Sequence, residues 1–145
     1  GGVGGCMRVV LLCALLAACA TGREPSPAQR LAGCWINRDA RAVAMRWNED
    51  AARPGTLVGT KTSFGIAGAN ASERYVLEPQ GAGWRLCQRQ DAGEESRCWD
   101  VAQGEGGSLE GGRVFIDGGG DSVRIAVIGA GPERVIFQGR REGCR

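Results

Sequence analysis

The chain reads as an all-β protein, an antiparallel up-and-down barrel of eight or nine strands. Three observations predict this. Short β-like runs recur at near-regular spacing from Cys34 onward, separated by Gly, Pro, Asn and Asp. Several of these runs alternate apolar and polar residues, as strands with one wet and one dry face do. No window holds an apolar period of 3.6, so no helix of consequence is expected.

The expected strands are 33–38, 42–48, 56–64, 73–78, 83–90, 97–102, 113–117, 122–128 and 134–139. Between them lie Arg-Pro-Gly, Gly-Ala-Asn-Ala, Pro-Gln-Gly-Ala, Asp-Ala-Gly-Glu and Gly-Gly-Gly-Asp, all turn chemistry. On the early strand Val43, Met45 and Trp47 face one way, Arg46 and Asn48 the other. Later, Val114 and Ile116 oppose Arg113 and Asp117, and Val123, Ile125 and Val127 oppose Ser122 and Arg124. In the last strand Val135 and Phe137 oppose Arg134 and Gln138. These apolar residues are first a core, and any ligand pocket must be carved from the same set.

The N-terminal stretch Met7 to Cys19, MRVVLLCALLAAC, has a different logic. Arg8 is a short basic region, and Val9 to Ala18 carry no charge. About ten apolar residues suit a signal peptide, whereas spanning a bilayer takes about 20. Leu16-Ala17-Ala18-Cys19 closes the run and resembles the lipobox of bacterial lipoproteins. That resemblance implies a signal peptide over 1–18 and a Cys19 joined to diacylglycerol and acylated at its new amino terminus. Ala20 stands where an Asp would favour inner-membrane retention, so the resemblance implies the periplasmic face of the outer membrane of a Gram-negative bacterium. Residues 1–6 ahead of Met7 do not fit this picture and read as a non-native leader or a start assigned too far upstream. Residues 19–28, polar with two prolines, read as the tether, and 29–145 as the barrel domain, with one helical turn expected at 29–32.

The chain has no histidine. That removes Ser-His-Asp and Cys-His catalysis, histidine metal sites and the commonest general base, so no enzyme and no cofactor are expected. No CxxC pair suggests zinc. Of 18 basic residues all but Lys61 are Arg. They are spread along the chain, as in a protein from a GC-rich genome, and nearly balanced by acids, so nucleic acid is not an expected partner. Gly129-Ala130-Gly131 imitates a dinucleotide fingerprint, but a β-like run follows where a helix is required.

Cys6 and Cys13 would leave with the signal peptide, and an exported chain that keeps four cysteines besides Cys19 points to two disulfides. If the hairpin turn is centred between Ala92 and Gly93, Cys87 opposes Cys98, Leu86 opposes Trp99, Trp84 opposes Val101, and Arg85 opposes Asp100 as an ion pair. One register thus satisfies both faces. Cys34 and Cys144 remain, on the first strand and after the last, which are neighbours if the barrel closes.

Leu31-Ala32-Gly33-Cys34-Trp35 at the start and Arg140-Arg141 near the end resemble the lipocalin and wider calycin pattern: a Gly-x-Trp on the first strand and a late Arg stacked over the Trp. Here Gly33 and Trp35 match the first part, and Arg140 is the candidate for the second. The opening also resembles an uncharacterised bacterial family of lipocalin-like domains, echoed loosely by Trp47, Pro54, Gly55, Leu57, Val58 and Gly59; the family's later His-Asp-Phe-Pro segment is missing. These resemblances support the fold and say little of function; a barrel of this size is either filled by side chains or holds one small ligand, so a monomeric binding module is expected. It would take a small apolar ligand into the barrel mouth, lined by some of Trp47, Tyr75, Trp84, Trp99 and Phe137. The alternative is a module that binds a periplasmic protein, such as a hydrolase it inhibits, through a loop at 53–55 or 65–72. A filled core and a rigid exposed loop would favour the second.

Overall fold

A computed structural model describes residues 25–39, 41–65, 70–89, 96–102, 112–129 and 131–144. The expected signal peptide, Cys19, most of the tether, and the turn at Ala92 and Gly93 lie outside them. A short helix, α1 (Pro27–Leu31), leads into nine strands. These are β1 (Gly33–Asn37), β2 (Val43–Glu49), β3 (Leu57–Phe64), β4 (Asn70–Gln80), β5 (Gly83–Arg89), β6 (Arg97–Val101), β7 (Arg113–Gly118), β8 (Ser122–Ile128) and β9 (Arg134–Glu142). They form one closed barrel in chain order, with β9 paired back to β1.

Every pairing is antiparallel except β6 with β7, which is parallel through Asp100↔Arg113 and Val101↔Val114. Parity explains the exception. Each antiparallel contact reverses direction, and a closed circuit must return to its starting direction. A ring of nine strands therefore needs at least one parallel contact, and the all-antiparallel pattern expected from sequence closes only with an even number. The connection through residues 103–111 lies outside the described set.

The helix begins earlier than expected because the local chemistry is a capping box. Ser26 Oγ accepts from the Gln29 N–H at 3.1 Å, Gln29 Oε1 accepts from the Ser26 N–H at 2.8 Å, and Pro27 occupies the first helical position. Leu31 at its end is fully buried.

Inward residues of successive strands make one core of Leu31, Trp35, Met45, Trp47, Leu57, Tyr75, Leu77, Leu86, Val114, Ile125 and their neighbours. Gly59 makes room for Trp47: a Cβ there would lie 2.6 Å from the indole ring. On β9 the expected alternation fails. A bulge opposite Ile125 and Ala126 inserts Ile136, so Ile136 and Phe137 are both buried while Val135 is 42% exposed.

The β5–β6 hairpin has the expected register, Arg85↔Asp100, Leu86↔Trp99 and Cys87↔Cys98, and the Cys87–Cys98 disulfide is present. The Cα atoms are 4.0 Å apart, near the close spacing of a non-hydrogen-bonded pair. Two details differ. Trp84 pairs with Pro79 on β4, beyond the last β5–β6 ladder pair. The ion pair of Arg85 is with Glu78, at 2.5 Å, and not with Asp100. Glu78 lies directly opposite Arg85 on the other neighbouring strand and competes for the same guanidinium. The second disulfide joins Cys34 to Cys144, beside the β1–β9 contact.

Candidate functional site

The two ends of the barrel are built differently. At the base, α1 lies across the opening. Trp35 Nε1 donates to the Leu31 carbonyl at 2.9 Å. The cation stacked on Trp35 is Arg141, its guanidinium carbon 4.1 Å from the ring centroid, and not Arg140 as expected. The reason is strand parity. Arg141 is the register partner of Trp35 and shares its face, whereas Arg140 is opposite Ile36 and Ser122 on the other face. The same guanidinium donates to the carbonyls of Gly119 and Gly120, each at 2.8 Å, of Ala32 at 3.0 Å and of Arg30 at 3.3 Å. Gly33 has φ +121°, and a Cβ there would sit 2.7 Å from Arg141 Nη1. Arg30 adds a 2.6 Å hydrogen bond to the Ile116 carbonyl. The base is thus a closed polar lid.

Beside the base, residues 50–56 join β2 to β3. Asp50 accepts from the Ala52 N–H at 3.0 Å and from Arg53 Nε at 3.1 Å. These two contacts, the backbone one first, hold its carboxyl below the usual carboxylate range. Arg53 also reaches Glu78 at 3.4 Å, and Glu49 accepts from the Gly55 N–H at 3.1 Å. The 53–55 segment anticipated as a protein-binding loop is therefore exposed and pinned at several points.

At the mouth, β1 and β9 part company after Ile36↔Arg140. Two side chains serve the carbonyls that β1 leaves. Asn37 Nδ2 donates to Gln138 O at 2.8 Å, and Lys61 Nζ reaches from β3 across the interior to Ile136 O at 2.6 Å. Lys61 also lies 4.0 Å from Glu73, its register partner on β4. Glu73 in turn accepts a 2.5 Å hydrogen bond from the Tyr75 hydroxyl. Burial first, and then this carboxylate, push the Tyr75 hydroxyl well above its ordinary pKa.

Where the strands part there is a cleft of about 530 Å³. Val43, Val135, Ile136 and Phe137 supply its apolar wall, and Lys61 and Arg41 stand at its polar side. A second cleft at this end, about 420 Å³, is bordered by Trp99, Val127 and Arg134. Arg134 lies over the Trp99 ring at 5.5 Å.

The expected ligand-lining residues therefore divide. Phe137 and Trp99 each border a mouth cleft. Trp47 and Tyr75 are both 1% exposed and packed against each other at 6.5 Å, filling the space that a deep ligand would need. Trp84 packs against the core from its edge. Sequence reasoning missed Lys61, although a single lysine among apolar inward positions of β3 was a visible signal. It also missed Arg141, which the step of two from Phe137 through Gly139 selects.

Among the described residues no group of three or more His, Cys, Asp or Glu is placed to hold a metal, and no helix is long and apolar enough to cross a membrane. Comparison with known proteins finds no matching family model, no matching curated protein and no matching solved structure.

Proposed function

We propose that the domain is a small binding module that takes a mainly apolar molecule at its mouth, in the cleft between the ends of β1 and β9. The observation that carries this is the cleft itself. Its volume falls within the range of small-molecule sites, and its make-up is the usual one, an apolar wall with a few polar groups. The apolar body of the ligand lies against Val43, Ile136 and Phe137, and a polar end meets Lys61 and Arg41. The lipobox-like Leu16 to Cys19 supports a lipid anchor at Cys19, holding the domain on the periplasmic face of an outer membrane. Binding, with no catalysis, is the role assigned.

Native mass spectrometry of the exported Cys19→Ser domain tests the reading. The wild-type domain carries a mass excess that is lost on denaturation. Val135→Trp, which fills the cleft from an exposed position, carries none. A bare wild-type mass, or an equal excess in both proteins, overturns it. Labelling with an alkyne fatty acid tests the anchor, with the label lost in Cys19→Ser.

A second reading is favoured by the filled interior and the pinned 50–56 turn. It is a module that binds a periplasmic protein through that turn. Capture of a partner by the wild type and not by Arg53→Glu, with no small molecule bound, would select it.

A further inference from the structure

The outer wall carries a feature that the mouth cleft does not explain. Register places Arg46 on β2, Thr60 on β3, Arg74 on β4 and Arg89 on β5 side by side in one row. All three arginines are exposed. Arg74 and Arg89 are direct cross-strand partners, an arrangement of like charges that destabilises a sheet. None of the three has an ion pair among the described residues. Other arginines on the molecule do: Arg38 with Glu142, Arg53 with Asp50 and Glu78, Arg85 with Glu78, and Arg124 with Glu133. Beside the row, toward the mouth, the outward residues are Ala44, Thr62 and Ser72, so the arginines border a floor of short side chains and hydroxyls. Part of that floor, with Arg46 and Thr60, forms a groove of about 680 Å³.

We infer that this row is a binding site for a linear polyanionic glycan, a chain carrying carboxylate or phosphate groups. Charge complementarity sets the sign of the partner, and three guanidinium groups with no ion pair among the described residues suit oxyanions. Neighbouring strands lie about 5 Å apart, so the charges stand about 5 and 10 Å from one another along the row. Shape selects among anions. The row runs around a closed nine-strand barrel, so Arg46 and Arg89 face directions about 120° apart. A flat membrane cannot meet all three arginines together, and a flexible chain can. The exposed apolar residues nearest the row, Val58 on one side and Phe64 in the groove on the other, stand singly and do not make the dry centre of a protein interface. The hydroxyls of Thr60, Thr62 and Ser72 offer a sugar chain hydrogen-bonding partners.

The test is fluorescence anisotropy with a short labelled oligogalacturonate and the Cys19→Ser domain. Binding is expected, weakening as salt rises. A variant with Arg46, Arg74 and Arg89 all changed to Gln loses about tenfold or more in affinity. Arg124→Gln, a control on the far wall, leaves affinity unchanged. The triple variant melts no lower than the wild type, because the Arg74–Arg89 repulsion is gone, so a loss of binding is not a loss of fold. Three results overturn the inference: no binding of the oligogalacturonate, equal binding by the triple variant, or stronger binding to polyglutamate or to phosphatidylglycerol vesicles than to the glycan.

Discussion

The base and the mouth of this barrel solve the same problem in opposite ways. Each must satisfy backbone carbonyls that helix and strand pairing leave over. At the base one guanidinium, Arg141, collects four of them while stacked on Trp35, and α1 covers the result. At the mouth two separate side chains, Asn37 and Lys61, take one carbonyl each, and no helix lies over them among the described residues. A planar fork with five donors can close an end, whereas an ammonium on a long stem serves one acceptor and leaves space beside it. That space is the cleft. The fold concentrates rigidity at the end away from it.

The largest break in this contrast comes from the Cys34–Cys144 bridge, which ties β1 to the chain leaving β9 at the base. Its partners are 110 residues apart, and the chain-entropy treatment gives about 4.8 kcal/mol, an upper figure. The Cys87–Cys98 bridge spans 11 residues and gives about 2.8 kcal/mol. Urea denaturation of each double Cys→Ser variant should preserve that order. Equal losses would mean that native strain or residual structure in the unfolded chain offsets the longer loop. Arg141→Ala comes next, at about 2 kcal/mol for the stacking and the lost hydrogen bonds, because water can reach some of the freed carbonyls. Arg140→Ala, on the outer face, should change stability by no more than about 0.5 kcal/mol. The reverse order would place Arg140 over Trp35 after all.

Those two neighbouring arginines show how far the sequence was legible. Gly33, Trp35 and a late arginine were enough to indicate how the barrel closes, and the two-residue period even selects Arg141 once counting starts from Phe137. The strands and the β5–β6 register were legible for the same reason: period two, turn residues and paired cysteines are local signals. The Ser-Pro-Ala-Gln capping box is equally local, but Pro25 and Pro27 on either side of Ser26 also suit a tether. What local patterns cannot carry is phase across a bulge or contact across a barrel. The inserted Ile136 turned Val135 outward, and Lys61 meets Ile136 only because the sheet curls back on itself. The filling of the interior is likewise a sum over all nine strands, so no single run revealed that Trp47 and Tyr75 leave no room between them.

A smaller effect sharpens the comparison at the level of single atoms. Trp35 and Trp47 are both buried, yet the Trp35 N–H is donated to Leu31 and the Trp47 N–H has no partner among the described residues. Trp→Phe removes similar volume at both sites. At Trp35 it also strands a buried carbonyl, and at Trp47 it removes an unmet donor. Trp35→Phe should therefore cost more than Trp47→Phe, by about 1–3 kcal/mol. Equal costs would place a buried water on Trp47 Nε1, which high-resolution diffraction would then reveal.

The smallest expected effect is one of pH, and it reports on the mouth. Tyr75 is the sole tyrosine, so tyrosinate absorbance follows it without overlap. Burial and the Glu73 carboxylate raise its pKa in the folded protein. The unfolded chain therefore releases this proton first. Stability from this group is intact below about pH 10, the unfolded value, and declines as pH rises above it toward the folded value. Denaturation midpoints from pH 8 to 11.5 should fall at the alkaline end in the wild type and fall less in Tyr75→Phe, while native absorbance shows little tyrosinate at pH 10. Glu73→Gln keeps an acceptor for the hydroxyl and removes the charge, so it should lower the native pKa part of the way. A native Tyr75 that titrates near 10 would mean that water reaches the hydroxyl through the mouth. The interior would then be open as deep as Trp47, and the mouth cleft would extend into the barrel instead of stopping at Phe137.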